Sequence, residues 1–184
     1  MLRNLAYFAS NHDIKIALGC SDNNILKYSQ LAEYESILDL LPDSFDYKII
    51  LLENQKNTGH WVCLIRMGNI IECFNSYGIS IDSEFKFIPD WIERWLNQDT
   101  RYLSKLIKSA PDYITVISNK FRFQSADSHI ATCGRWVIFR VELSKMGYGL
   151  EEFVNKVKAI KDRYDLSFDE IVLGFVPFSG DTKK

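Results

Sequence analysis

Proline is scarce in this chain, with four residues in 184, and neither a Ser/Gly tract nor a block of like charge accompanies it. Without such stretches there is no linker composition, so one domain spanning residues 1–184 is expected. A cationic excess is missing too. The formal net charge is -2, which leaves no electrostatic footprint for nucleic acid or an anionic membrane as partner. No apolar run approaches the ~18 residues of a membrane span. The opening MLRNLAYFASNHDIK lacks the long apolar core of a secretory signal, so a secreted protein is not expected. Cysteine is sparse: Cys20, Cys63, Cys73 and Cys133 show no CxxC spacing and no disulfide framework, and read as reduced thiols in a cytosol-like compartment.

What is present is 47% hydrophobic residues, enough to fill one sizeable core. YSQLAEYESILDLLP places Tyr28, Leu31, Leu38 and Leu41 near helical spacing, and Pro42 stops it. YKIILLE reads as a buried strand. HWVCLIRMGNIIECFNSYG reads as two strands joined at Gly68-Asn69. PDWIERWLNQDTRYLSKLI is expected to form one helix begun by Pro89 and Asp90, burying Trp91, Trp95 and Leu96. DYITVIS and KFRF read as short strands, and LEEFVNKVKAIKDRY as an amphipathic helix turning Leu150, Phe153, Val154, Val157 and Ile160 inward. Strands and helices do not alternate strictly, which favours an α+β fold.

The hairpin can be given a register. With Gly68-Asn69 as a two-residue turn, Met67 faces Ile70, Val62 faces Asn75 and His60 faces Tyr77. His60 and Asn75 then share a face as diagonal neighbours, within reach of an imidazole and an amide. Trp61 and Cys63 point the other way. Because Cys63 faces away from His60 and Cys20 lies in a polar loop, no tetrahedral metal set assembles, and no cofactor is expected.

TCGRWVIFRV poses the sharper question, since a polar Thr-Cys-Gly opens a dense apolar run. A helix apolar nearly all round is central, and Cys133 stands where it begins. Unpaired N–H groups and the helix dipole lower the pKa of a thiol there. A nearby imidazole would complete a cysteine–histidine nucleophile, the Cys133 N–H could donate to an oxyanion, and Gln124 could supply a second donor. Each residue alone has an ordinary reading: a packing cysteine, a polar histidine, a turn asparagine. His12 and His129 read as surface histidines, His129 being a rival base.

Taken together, GHW, CFNSYG, FQ and TCGRW, in that order, resemble the adenovirus maturation protease and the SUMO-specific proteases. The match covers about Gly59 to Arg140. YSQL and the compact size look still more like the proteases of virophages, Maverick-type elements and some large DNA viruses. The resemblance implies an adenain/SUMO-protease-type fold, in which a mixed sheet packs a central helix carrying the nucleophile at its N-terminus. It implies a His60–Asn75–Cys133 triad with Gln124 in the oxyanion hole. It also implies a capsid-precursor protease cleaving after small residues such as Gly, in the virion and the host cytoplasm or virus factory. Trp61, next to His60 in sequence, and Trp136, three residues after Cys133, are expected to wall a narrow substrate slot. Asn75 stands where many relatives have Asp. An amide holds the imidazole tautomer but brings no charge, so Asn75→Asp is expected to be tolerated or favourable. The protein is expected to act as a monomer on a protein substrate. The alternatives are a deconjugase for ubiquitin-like proteins and a non-catalytic interaction module on the same fold.

Overall fold

The computed structural model describes residues 5–178. The first four and last six residues of the expected 1–184 domain, including the start of the MLRNLAYF segment, lie outside the described residues. Helix α1 (Asn11–Leu18) is followed by β1 (Ile25–Lys27), a 3-10 turn (Tyr28–Glu33) and the short α2 (Ile37–Leu40). Strands β2 (Phe45–Gln55), β3 (Thr58–Met67) and β4 (Ile70–Phe74) form a meander. A second 3-10 turn (Ile81–Phe87), α3 (Asp90–Trp95) and α4 (Tyr102–Lys108) lead into β5 (Thr115–Ser118). Helices α5 (Cys133–Lys145), α6 (Leu150–Tyr164) and α7 (Phe168–Phe175) complete the described chain.

The five strands run in the order β1-β2-β3-β4-β5. The outer pairs are parallel and the inner pairs antiparallel, so the fold is α+β with a mixed sheet. The hairpin register is the one the turn demands: Met67 pairs with Ile70 and Cys63 with Phe74. Period-2 alternation divides the strands between two cores. Ile49, Leu51, Trp61, Cys63, Ile65 and Phe74 face α5, α6 and α7, while Ile50, Leu52, Val62, Leu64, Ile71 and Cys73 face the first 3-10 turn, α2 and α4.

Several elements depart from the sequence expectation, each for a local reason. The helix expected through Tyr28–Leu41 is split, because Tyr34 is extended and Ser36 restarts the helix by accepting from the Asp39 N–H at 3.1 Å. Its apolar residues still reach the core. The helix expected from Pro89 breaks at Asn97, which adopts a left-handed φ of 55°. Trp91 and Trp95 are exposed at 64% and 62%, and the inward position belongs to Glu93, which pairs with Arg101 at 2.6 Å. KFRF forms no strand. Asn119 Nδ2 donates to the carbonyls of Asn75 and Phe121 at 2.8 and 2.9 Å, turning the chain out of the sheet after β5. Helices α1 and α7, unmarked by a long apolar period, begin at reciprocal Ser10–Asp13 and Ser167–Glu170 caps.

Helix α5 is central, as its composition implies, yet it carries two fully buried arginines. Arg140 forms a two-pronged pair with Glu72 of β4, at 2.7 and 2.6 Å, and donates to the Tyr148 carbonyl at 3.0 Å. Arg135 donates to the Val176 carbonyl and lies 4.2 Å from the centroid of the Phe178 ring. A carboxylate and a guanidinium taken out of water together are tolerable, but one alone is not. Glu72→Ala should therefore destabilise the domain by about 3–5 kcal/mol, a fall of roughly 10 °C in Tm. Glu72→Leu with Arg140→Met should recover part of that loss, because no unpaired charge remains. Thermal melting of both proteins checks this.

Candidate active site

The site forms at one end of the sheet, where β3 begins and β4 ends. His60 is the third residue of β3, and Asn75 follows the last residue of β4. Antiparallel pairing brings these two ends together, and His60 Nε2 lies 2.9 Å from Asn75 Oδ1. Just before His60, Gly59 lets β3 approach β2 closely: a Cβ there would stand 1.8 Å from the Leu52 carbonyl oxygen.

The orientation of the Asn75 amide is set by its other partners. Oδ1 also accepts from the Tyr77 N–H at 2.9 Å, and Nδ2 donates to Glu84 Oε1 at 2.8 Å. A flipped amide would face N–H against N–H and oxygen against carboxylate. Oδ1 therefore faces His60, Nε2 carries the proton, and Nδ1 is left for the thiol. The imidazole is also stacked on Tyr77, with centroids 4.6 Å apart and planes 18° from parallel.

Cys133 arrives from the other core as the first residue of α5, and its thiol hydrogen-bonds to His60. Burial alone would raise the thiol pKa. The His60 hydrogen bond and charge, with the backbone N–H groups of Trp61 and Gly134, outweigh it and hold Cys133 below the ordinary 9.0. The converse holds for His60. Burial lowers the imidazole, but the hydrogen bond to Cys133, its charge and that of Glu84, and the bond to Asn75 raise it above 6.5. The two shifts together favour a thiolate–imidazolium pair.

Gly134 permits the close packing of this helix start, since a Cβ there would lie 2.4 Å from that of Ala9. The preceding Thr132 does not cap α5 with its side chain; its hydroxyl donates instead to Asp169 Oδ1. Asp169 also accepts from the Ser125 N–H at 3.0 Å, tying the loop before Cys133 to α7.

Gln124 lines the same cleft as His60 and Cys133. Ser76 Oγ donates to its Oε1 at 2.8 Å, which directs Nε2 toward the Tyr77 hydroxyl at 3.3 Å and the Ile130 carbonyl at 3.2 Å. Both contacts are long, so these N–H groups can be recruited by a stronger acceptor such as an oxyanion. The cleft has a volume of about 590 Å³ and is bordered by Phe8, Leu52, Phe87, Ile88, Arg122 and Asp127.

Of the four residues expected to act together, His60, Gln124 and Cys133 line one cleft, and Asn75 is buried behind His60. Trp61 and Trp136 are not part of its walls. They are 4% and 0% exposed, and the Trp61 indole N–H donates to the Ala9 carbonyl at 2.9 Å. Strand alternation turns Trp61 away from the face His60 occupies, and the interior position of α5 buries Trp136. His129, the rival base, is exposed and does not border the cleft. Among the described residues no three His, Cys, Asp or Glu side chains converge as a metal site, and no helix is long and apolar enough to cross a membrane.

The sequence is 38% identical over 166 residues to the uncharacterized protein V9 of Sputnik virophage, covering 89% of this chain and 90% of that protein. The chain belongs to that virophage protein family. It is therefore a viral-type protein by descent. No family model matches it. A solved structure, the central domain of the uncharacterized Lpg1148 protein from Legionella pneumophila, is 17% identical with a TM-score of 0.40, over 95% of this chain and 88% of that one. A likeness so low carries no argument about fold.

Glu84, Ser76 and Asp169 were not marked by the sequence, and Tyr77 was placed only as the residue facing His60. Glu84 sits in a 3-10 turn without periodicity, and Ser76 and Tyr77 look like ordinary turn residues. The site makes a prediction about reactivity. A lowered pKa means that Cys133 keeps its thiolate as pH falls below the ordinary thiol value, whereas burial raises Cys20. Near neutral pH, limited alkylation followed by peptide mass spectrometry should label Cys133 first. The advantage over Cys20 should shrink as pH rises past 9.0. Equal labelling at neutral pH would refute the ion pair.

Proposed function

We propose that the protein is a cysteine endopeptidase using Cys133 as nucleophile, His60 as general acid and base, and Asn75 as its orienting partner. One observation carries this reading: a thiol at the start of a buried helix hydrogen-bonds to an imidazole whose other nitrogen is held by an amide. The order His, Asn, Gln, Cys along the chain, and its resemblance to the adenain/SUMO-protease superfamily, support it.

The chemistry follows from the geometry. The Cys133 thiolate attacks the scissile carbonyl carbon, and the carbonyl π electrons move onto oxygen. The Gln124 Nε2–H and the Cys133 backbone N–H stabilise that oxyanion. The imidazolium of His60 gives its proton to the leaving amine as the C–N bond breaks, leaving an acyl-enzyme. Neutral His60 then takes a proton from water, which attacks the thioester and releases the acid and the thiol.

For the substrate we favour a virion precursor protein, cut after a small residue such as Gly. Membership of a virophage family supports a viral substrate, and the resemblance supports the small residue. The buried tryptophans lend that preference no support. Co-expression with candidate capsid precursors, followed by sequencing of new N-termini, tests it. Cleavage after large residues would overturn the specificity, and cleavage only of ubiquitin-like conjugates would replace the substrate class.

Mutations should rank by role. Cys133→Ala abolishes turnover, because no other group can form the thioester, and His60→Ala comes close. Gln124→Ala should lower the single-turnover rate on the order of 10²–10³-fold. Ser76→Ala should lower it less, by freeing the Gln124 amide to rotate. Rates are compared on one peptide, with melting curves to confirm folding. A Gln124→Ala enzyme at full rate would remove Gln124 from the oxyanion hole.

A further inference from the structure

In the proposed triad the residue beside His60 is neutral, yet the mechanism requires that histidine to carry a positive charge. The compensation lies one residue farther back. Glu84 is buried, at 8% exposure, and Asn75 Nδ2 donates to its Oε1 at 2.8 Å. On its other side Asn75 accepts from His60 Nε2 at 2.9 Å. Glu84, Asn75, His60 and Cys133 therefore form a continuous chain of hydrogen bonds. Among the described residues no lysine or arginine lies within ion-pair distance of Glu84, so its charge is not neutralised nearby.

We propose that Glu84 is a positioning residue that acts through Asn75, supplying the negative charge to the His60 imidazolium that an asparagine lacks. The proposal rests on the protease reading of the site and deepens it. An amide is a resonance-linked donor and acceptor. When its nitrogen donates to a carboxylate, electron density shifts toward its oxygen, and that oxygen accepts more strongly from an imidazolium. The carboxylate, 8% exposed where it borders the cleft, also acts directly on the ring.

Other groups near the ring do not replace it. Cys133 from α5 supplies a negative charge only as the thiolate, the charge that the mechanism consumes. Tyr77 offers a neutral face. Arg122 and Asp127, from the loop between β5 and α5, border the cleft with opposite signs. Asp169 of α7 is held by Thr132 and Ser125, and Glu53 of β2 is turned toward Lys27 at 3.1 Å. The arrangement also revises the expectation for Asn75→Asp. That substitution would set two carboxylates face to face, and one of them would have to hold a proton.

The test is an NMR titration of His60 in Cys133→Ala protein, which removes the thiolate's own effect. Adding Glu84→Gln, which can still accept from Asn75, should lower the His60 pKa by about one unit. Adding Asn75→Asp to Glu84→Gln should restore it, because the charge now lies next to the ring. Asn75→Asp with Glu84 intact should raise it less than that swap does. An unchanged His60 pKa in folded Glu84→Gln protein would overturn the proposal. If Glu84→Gln alone did not fold, Glu84→Asp, which keeps the charge but draws it back from Asn75, would be titrated instead: a lowered His60 pKa is expected, and an unchanged one would overturn the proposal equally. The titration needs no substrate. Absence of peptide hydrolysis by the unmutated protein would sink the protease reading while leaving this result legible.

Discussion

Helix α5 has no solvent face along most of its length, and that constraint organises the molecule. Ten of its thirteen residues are buried, packed against β3 on one side and against α1 and α7 on others. Its rotation and its depth are therefore both set by packing, because turning it would drive Trp136 or Val137 out of the core and pull Arg140 from Glu72. A helix held this tightly holds its first residue too. Cys133 meets His60 because the helix that carries it and the strand that carries the imidazole pack together.

The electrostatics of the site follow from that placement. A thiol delivered to a buried position would ordinarily be raised, as Cys63 and Cys73 are by burial. Cys133 differs because donors surround it: an imidazole, two backbone N–H groups and the uncapped start of its helix. Thr132, the natural capping residue, gives its hydroxyl to Asp169 instead. The same loop is thereby anchored, and the helix terminus stays open to the sulfur. On the far side of the imidazole, Asn75 and Glu84 continue the line of hydrogen bonds away from the cysteine.

Local patterns were legible wherever the interaction that decides them is short in sequence. The two-residue turn at Gly68-Asn69 set the β3–β4 register, and that register placed His60 beside Asn75. The apolar run after Cys133 marked a central helix. Failures occurred where the competing signal was equally local but polar. The Ser36 cap split one expected helix, and the left-handed Asn97 split another. Both left the apolar spacing intact while breaking the backbone it implied.

The sequence by itself determined the α+β class, the hairpin register and the place of Cys133 at a helix start, since each depends on periodicity or turn chemistry among near neighbours. Only the tertiary structure decided the rest. It buried Trp61 and Trp136 beneath the cleft rather than in its wall, turned Glu93 inward in place of two tryptophans, and paired Arg140 with Glu72 across 68 residues. It set Glu84 behind Asn75 as well. Burial of a polar group is favourable only when its partner arrives with it, and in these cases the partner is supplied by folding rather than by sequence spacing.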